Sequence, residues 1–521
     1  MSCPSSPRLV VFVFLYFSFS LIMLPFQNMS DYMDYFGESP PLALASVSAH
    51  ARVSGERHTG GVLGWKITTG DYGTRRISNS RSLVSEKLRC SRWWLVRQRE
   101  YPLHVCLRFG GECMLNDIFI LEQFSKKLST HNVEHTFDLN IEGATSLLPF
   151  AVLLLRAERV CLRKCMLTSL QALERLEKLR RVEISNRGGD FKMTPLGIFP
   201  SLGYFGDEGC KALSHLKASE GLRNLRKVDV RGLVVTTIEF LKNCEVLESL
   251  CVSGCKQLRS LDGLSGMQRL TCVDACGSGV KSIRGLRGCT ALKTLDVSEC
   301  KKLSSLDGLS GLRNLTSINA RWSGIKNIVG LSGCVSLEKV DVEYCENLTS
   351  LDVLSGLQKL VTVVASSTKI TNVLALAGCI SLRAVDVSGC GELASLEGLS
   401  GLKNLEEVSA WCTKITSVRA LTGCVSLQTV DVSCCRELTS LEGLSGLTKL
   451  RKVDARETGI RDLDDLAGCV ALENVDVSKC REIRSIKGLY GLPNLKRVCA
   501  KRKCVRKFLD ESPGLKHVLS S

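Results

Sequence analysis

From Cys244 to about Pro513 the apolar positions of this chain fall into two alternating patterns. The longer reads Leu292-x-x-Leu295-Asp296-Val297-Ser298-x-Cys300-x-x-Leu303-x-x-Leu306-x-x-Leu309. The shorter reads Leu315-x-x-Ile318-Asn319-Ala320-x-x-Ser323-x-Ile325-x-x-Ile328-x-x-Leu331. Leu295 and Val297 are two apart, so they share one face of a short strand and Asp296 projects from the other. Leucines 303, 306 and 309 recur at every third residue, which predicts a 3₁₀ or loosely helical return. The pair of patterns repeats every 45 residues. Cysteines mark it at 244, 289, 334, 379, 424 and 469, and again at 255, 300, 345, 390, 435 and 480. Val273, Ile318, Val363, Val408, Val453 and Val498 keep the same interval.

A short strand, then a tight turn at an Asn, Cys or Thr position, is the leucine-rich-repeat pattern. One such turn cannot bury its apolar side alone, so neighbouring turns stack and share a continuous core. The expected fold is an α/β repeat: a leucine-rich-repeat solenoid with a parallel concave sheet and a 3₁₀ or loop convex side. Residues 244–513 form six double repeats in this reading. Residues 146–243 are irregular leading repeats, with Val160-Cys161-Leu162, Leu179-x-x-Val182-Glu183-Ile184 and Leu225-x-x-Val228-Asp229-Val230 as early turns. Residues 185–204, with Gly188-Gly189 and Pro195, interrupt them as a loop on one rim. Residues 514–521 form a terminal cap, with Leu515-x-x-Val518 as a last strand, and residues 27–145 show no period.

Composition agrees with leucine ladders, at 44% hydrophobic but only 6% aromatic residues. The formal net charge of +16 raises nucleic acid as a partner, but both signs of charge interleave through the repeats. The basic excess is densest at Lys496, Arg497, Lys501, Arg502, Lys503, Arg506 and Lys507, and reads as capping of the last turns. Most of the 26 cysteines recur at fixed places in the array rather than in a close disulfide framework. Cys300 and its equivalents then stand at the turn as small inward-facing hydrophobes with a weak S–H donor. Reduced thiols favour an intracellular, cytoplasmic setting.

Residues 1–26 pull the other way. An uncharged, largely apolar run covers residues 9–26 after Arg8, as in a signal peptide or a short membrane anchor. Asp31, Asp34 and Glu38 beyond it would place the repeats outside the cytosol, and Asn28, Asn314 and Asn347 each open a glycosylation sequon. A true start at Met29 or Met33 would leave the apolar run untranslated. Membrane tethering, secretion and a mis-assigned start all stay open.

Catalytic chemistry finds no constellation. Of the seven histidines, at 50, 58, 104, 131, 135, 215 and 517, none lies within the array, which excludes a histidine-based nucleophile or metal site there. Gly60-Gly61-x-x-Gly64-x-Lys66 lacks the Gly-Lys-Ser/Thr ending of a phosphate loop. Cys90, His104, Cys106 and Cys113 are close in sequence but contain no C-x-x-C pair, so no zinc is expected. No cofactor or metal enters this reading, which leaves recognition.

Residues alternating with the core leucines project from the concave face. Asp296, Asp341, Asp386, Asp431 and Asp476 form a file along it, either as a partner surface or as solvated consensus residues. The two places before the turn residue vary, and carry Arg321-Trp322, Glu343-Tyr344, Ser366-Ser367, Trp411-Cys412 and Arg456-Glu457. Trp322 and Tyr344 share a column on adjacent turns, ~4.8 Å apart by strand spacing, with Trp411 one column over and ~19 Å away. Aromatic residues beside arginine match the composition of interface hot spots, and packing on a neighbouring loop is the competing reading.

The strings Leu-Asp-Val-Ser-Glu-Cys-Lys-Lys-Leu-Ser-Ser-Leu-Asp-Gly-Leu (295–309) and Val-Asp-Val-Ser-Cys-Cys-Arg-Glu-Leu-Thr-Ser-Leu-Glu-Gly-Leu (430–444) resemble cysteine-containing leucine-rich repeats of trypanosome proteins. The nearest group is the expression-site-associated family described as putative adenylate cyclase regulators, and the resemblance covers roughly residues 150–520. It implies a non-enzymatic scaffold or regulator of a protein partner such as a signalling enzyme. Members with a RING finger carry paired zinc cysteines near the N-terminus, and this chain has none there. The short turns also look like those of internalins and of a phosphatase regulatory subunit. The alternative function is the substrate-recognition arm of a ubiquitin-ligase complex, which needs an adaptor helix or zinc fold in the first 145 residues.

Intact-mass analysis of native protein tests the cytoplasmic reading. Reduced cysteines and an unglycosylated Asn314 are expected; cleavage near residue 26, with oxidised cysteines or a glycan, would overturn it. A steep loss of nucleic-acid affinity with salt that depends on residues 496–507 would overturn the capping role of the basic tail.

Overall fold

The computed structural model describes strands 9–11, 65–69 and 103–109, isolated helical positions between 118 and 130, and residues 135–500 apart from 166, 168–169, 186–201 and 209–222. The interrupting loop, the side chains of Cys90, His104, Cys106 and Cys113, the tail beyond residue 500 and most of residues 9–26 lie outside the described residues. The chain divides into two units, Met1–Leu233 and Val234–Ser521. Both are built from parallel strands.

The second unit holds strands Ser249–Cys251, Cys272–Asp274, Thr294–Asp296, Ser317–Asn319, Lys339–Asp341, Thr362–Val364, Ala384–Asp386, Glu407–Ser409, Thr429–Asp431, Lys452–Asp454, Asn474–Asp476 and Arg497–Cys499. Each pairs in parallel with the next, and the middle residues stay in register as Val273, Leu295, Ile318, Val340, Val363, Val385, Val408, Val430, Val453, Val475 and Val498. All of these side chains are buried. The returns are single 3₁₀ turns such as Asp262–Leu264, Val329–Leu331 and Glu397–Leu399, each ending on a buried leucine. The three-residue spacing of the sequence is therefore the 3₁₀ period. Close stacking on this side needs glycine at some returns: a Cβ on Gly398 would stand 1.8 Å from the Val373 carbonyl oxygen.

Two thiol ladders run through this core. Cys300, Cys345, Cys390, Cys435 and Cys480 donate to the carbonyls of Ala275, Ala320, Ala365, Ala410 and Ala455 at 3.0–3.2 Å, one turn back. Ser278, Ser323, Thr368, Thr413 and Thr458 occupy the same turn place on the short turns, and each hydroxyl lies 3.2–3.5 Å from the next cysteine sulfur. Cys289, Cys334, Cys379, Cys424 and Cys469 donate to Leu264, Leu309, Leu354, Leu399 and Leu444 carbonyls in a second ladder. Burial pushes the thiols of both ladders up, which keeps them protonated as donors. The inward placement expected of Cys300 and its equivalents is what the structure has.

The turn itself rests on two further devices. The aspartate that ends a strand accepts the backbone N–H two residues on: Asp296 from Ser298, Asp386 from Ser388, Asp431 from Ser433 and Asp476 from Ser478, at 2.9–3.0 Å. Asp341 does the same for Glu343 at 3.3 Å. These carboxylates close Asx turns and are half-buried or buried, so the freely solvated reading of the file does not hold. The residue just before the turn position is left-handed throughout, with φ of 58° at Glu299, 58° at Trp322, 55° at Tyr344, 55° at Ser367, 54° at Cys412 and 60° at Cys434. That conformation costs a non-glycine residue about 1–2 kcal/mol, so stacking of the turns must hold it.

In the first unit the parallel ladder starts earlier than the sequence pattern does. Leu9–Val11 and Trp65–Thr69 each pair with Leu103–Phe109, which pairs with His135–Glu142. The ladder continues through Ala157–Arg163, Arg181–Ser185, Tyr204–Glu208 and Lys227–Asp229. Residues 27–145 thus contribute strands to a parallel sheet, where the sequence showed no period. Their unequal connections hide them from any fixed-interval count. Among the described residues no helix is long and apolar enough to cross a membrane.

Inward and outward positions of the turn separate in stability. Cys345→Asp places an unpaired charge among stacked leucines and should cost several kcal/mol. Tyr344→Asp, next to it, loses an exposed aromatic contact and should cost about 1 kcal/mol, since aspartate tolerates a left-handed backbone. Equal melting temperatures would show the two positions reversed. Asp431→Ala should cost about 1–2 kcal/mol through the lost turn cap and Asp431→Asn much less; equal losses in chemical denaturation would contradict the capping role.

Candidate partner-binding surface

The candidate surface begins where the strands end. At the mouth of each turn, one left-handed residue leaves the sheet just before the chain plunges inward at the turn cysteine, serine or threonine. The place before it is exposed at Arg321, Trp411 and Arg456 and buried at Ser298, Ser366, Ser388 and Ser433. Short strands and repeated Asx turns give all of these places the same backbone, so their side chains form columns along the second unit.

On the turns of Ser317–Asn319 and Lys339–Asp341 the columns hold the pairs singled out from sequence. Trp322 and Tyr344 stack, with ring centroids 3.9 Å apart and planes 14° from parallel. Trp322 is nevertheless 40% exposed. Beside them Arg321 and Glu343 form an ion pair at 3.1 Å. Asn319 bridges toward the preceding turn, its Nδ2 donating to the second carboxylate oxygen of Asp296 at 2.9 Å. Thus Asp296, Arg321, Trp322, Asp341, Glu343 and Tyr344 fall on three adjacent turns, each tied to a neighbour or to its own turn. The exposed ion pair adds little stability, since such pairs are worth about 0–1 kcal/mol. Its effect is to hold both long side chains beside the ring stack.

Trp411 stands apart, three turns beyond Tyr344, and is 42% exposed. Asp386 and Asp431 are the strand-end caps of the turns on either side of it. Arg456 lies two turns further on, its Nε 2.9 Å from Asp454 and 3.9 Å from Asp476. The column placement read from sequence therefore gives two patches, one around the Trp322–Tyr344 stack and one around Trp411 and Arg456. For all five file aspartates the structure adds a fold role, capping, that any partner contact would share.

Two groups escaped the sequence reading. In the first unit Glu183 is held between Arg159, 2.9 Å away, and Arg181, whose guanidinium carbon also lies 3.9 Å from the centroid of the Tyr204 ring. Burial alone would push the Glu183 carboxyl up; the two guanidinium groups outweigh it and hold it below the usual carboxylate range. The steps from Arg159 to Arg181 to Tyr204 are 22 and 23 residues, the same as between strands of the array, so the register was a signal the sequence carried. In the second unit Val335, Ile380, Val425 and Val470 are 46–58% exposed. They follow the second-ladder cysteines at the 45-residue interval, a signal the sequence did carry. Among the described residues no cluster of histidine, cysteine or carboxylate could hold a metal ion.

No protein-family model matches the sequence, and no curated protein matches it. Solved structures do. An internalin of Listeria monocytogenes is similar at 18% identity over 54% of this chain and 81% of its own, with a TM-score of 0.47. A leucine-rich-repeat protein of Leptospira interrogans is similar at 13% identity over 73% of this chain and 95% of its own, with a TM-score of 0.46. The Drosophila Toll–Spätzle complex is similar at 16% identity over 66% of this chain and 46% of that chain, with a TM-score of 0.46. The strand register, the 3₁₀ returns and the inward leucines make this chain a leucine-rich-repeat solenoid.

Proposed function

We propose that the chain is a non-enzymatic scaffold or regulator that holds a protein partner against its concave face. The carrying observation is the Trp322–Tyr344 stack: two aromatic rings in contact with one another, Trp322 exposed and Tyr344 half-buried, flanked by the Arg321–Glu343 pair. A ring stack on a rigid ladder presents a large apolar area whose side chains are already ordered, so binding to it forfeits little conformational entropy. Tryptophan, tyrosine and arginine are the side chains that dominate measured interface energies. Trp411 with Arg456 forms the second anchor, and the capped aspartates Asp296, Asp341, Asp386 and Asp431 lend the floor between them an acidic character. The partner is a protein, such as a signalling enzyme, that offers basic and apolar side chains.

The test uses the full chain as bait in an extract of its native source, with Trp322→Ala/Tyr344→Ala and Trp411→Ala variants beside it. A partner retained by the native chain should bind the double variant at least tenfold more weakly, about 1.4 kcal/mol, while the double variant stays folded at the assay temperature with a melting temperature lowered only modestly by loss of the stack. Undiminished binding by the double variant, or retention by residues 27–145 alone, would sink this reading. Ligase subunits captured through the first 145 residues would favour the ubiquitin-ligase arm instead.

A further inference from the structure

Besides its buried ladders, the array carries cysteines that are not buried, and two of them stand next to one another in the outward column. Cys412 is exposed and Cys434 half-buried, and both are free thiols. They occupy the left-handed place before the turn residue on adjacent turns, with φ of 54° and 60°. The strands beneath them pair Ser409 with Asp431, and Cys412 and Cys434 each lie three residues beyond that pair. Cys412 N–H donates to the Ser433 carbonyl at 2.8 Å, so the register persists to the turn.

Equivalent pairs show what this register does to side chains. Trp322 and Tyr344, three residues beyond the Asn319–Asp341 pair, stack at 3.9 Å. Lys479 Nζ lies 2.6 Å from Glu457, three residues beyond Asp454–Asp476. A Cβ built on Gly277 stands 4.0 Å from the Cβ of Glu299, three residues beyond Asp274–Asp296. A disulfide needs Cβ atoms about 3.5–4.5 Å apart. The column therefore supplies disulfide spacing at each such step, and only at 412 and 434 do two cysteines fill it.

We propose that Cys412 and Cys434 are a redox site, a dithiol that closes to a cross-turn disulfide by exchange with a low-molecular-weight disulfide. One cysteine loses its proton and attacks a sulfur of the reagent, which releases one thiolate and leaves a mixed disulfide on the protein. The second cysteine then loses its proton, attacks the protein-bound sulfur and expels the second thiolate. Two protein thiols are oxidised to one S–S bond, and the reagent is reduced to two thiols that carry the two protons. The inward Cys435, fully buried and bonded to the Ala410 carbonyl, does not compete. Partial burial, and then the facing Cys434 thiol, push the Cys412 thiol up to about 11. Closure should therefore be slow at neutral pH and quicken as the pH rises, because the thiolate is the attacking species. The site is independent of the partner-binding reading.

The full chain is equilibrated across ratios of oxidised to reduced glutathione, quenched by alkylation and mapped by mass spectrometry. A peptide pair joined through Cys412 and Cys434, two hydrogens lighter than the dithiol form, is expected to grow with the ratio while the ladder cysteines stay alkylatable after unfolding. Cys412→Ser and Cys434→Ser each should abolish the link and leave the other cysteine as a glutathione adduct. Serine already stands in this column at Ser367 with φ of 55°, so both variants keep the turn. Separate alkylation of both cysteines at every ratio, or pairing of either with a different cysteine, would overturn the site. Persistence of the linked peptide mass in either serine variant would do the same.

Discussion

A thiol that donates to the turn before it is the contact on which the second unit most depends. The carbonyls of Ala275, Ala320, Ala365, Ala410 and Ala455 lie inside a stack of leucines and accept within their own turn from the Ser278 and Ser323 N–H groups or the Thr368, Thr413 and Thr458 hydroxyls; a second donor is needed to bind one turn to the next. Cysteine meets that need with little volume and little polarity. The serine or threonine on the alternate turn adds its hydroxyl beside the same sulfur. Because the donor on one turn serves the acceptor on the previous one, no turn is complete alone. This interdependence fixes the spacing from turn to turn, and with it the columns on the outer face.

The columns turn a structural repeat into a patterned outer surface. The left-handed backbone at each turn points one side chain outward in the same way, so neighbours in that column meet alike at every step. Where the sequence supplies tryptophan and tyrosine the outcome is a ring stack; where it supplies lysine and glutamate, an ion pair. One backbone thus carries a variable outer text.

Much of the fold was legible because its code is periodic. The two-residue alternation of Leu295 and Val297 gave the strand face, and the fixed interval of Cys300, Cys345 and Cys390 gave the inward turn place. The adjacency of Trp322 and Tyr344 followed by counting along the column. The left-handed backbone at those residues was not legible, since tryptophan and tyrosine have no preference for it and stacking of the turns imposes it. The cap made by Asp296 could have been read from its serine two residues on, a signal shared by Asp386, Asp431 and Asp476 but not by Asp341, which caps Glu343. The strands at 65–69 and 103–109 join the ladder at unequal separations, and no interval in the chain announces them; the Arg159–Glu183–Arg181 cluster keeps the 22- and 23-residue steps of the array and could have been found by extending the count.

The alternation of cysteine with serine or threonine at the turn place also sets a quantum of length. Removing or adding a full double repeat preserves the donor on one turn and the hydroxyl on the next. Removing a single turn would set like against like: two bulky sulfurs competing for one space, or two hydroxyls leaving a gap where a sulfur had been. Growth of such an array by duplication is therefore confined to steps of two turns. The uniform 45-residue interval across the six units is the record that confinement would leave.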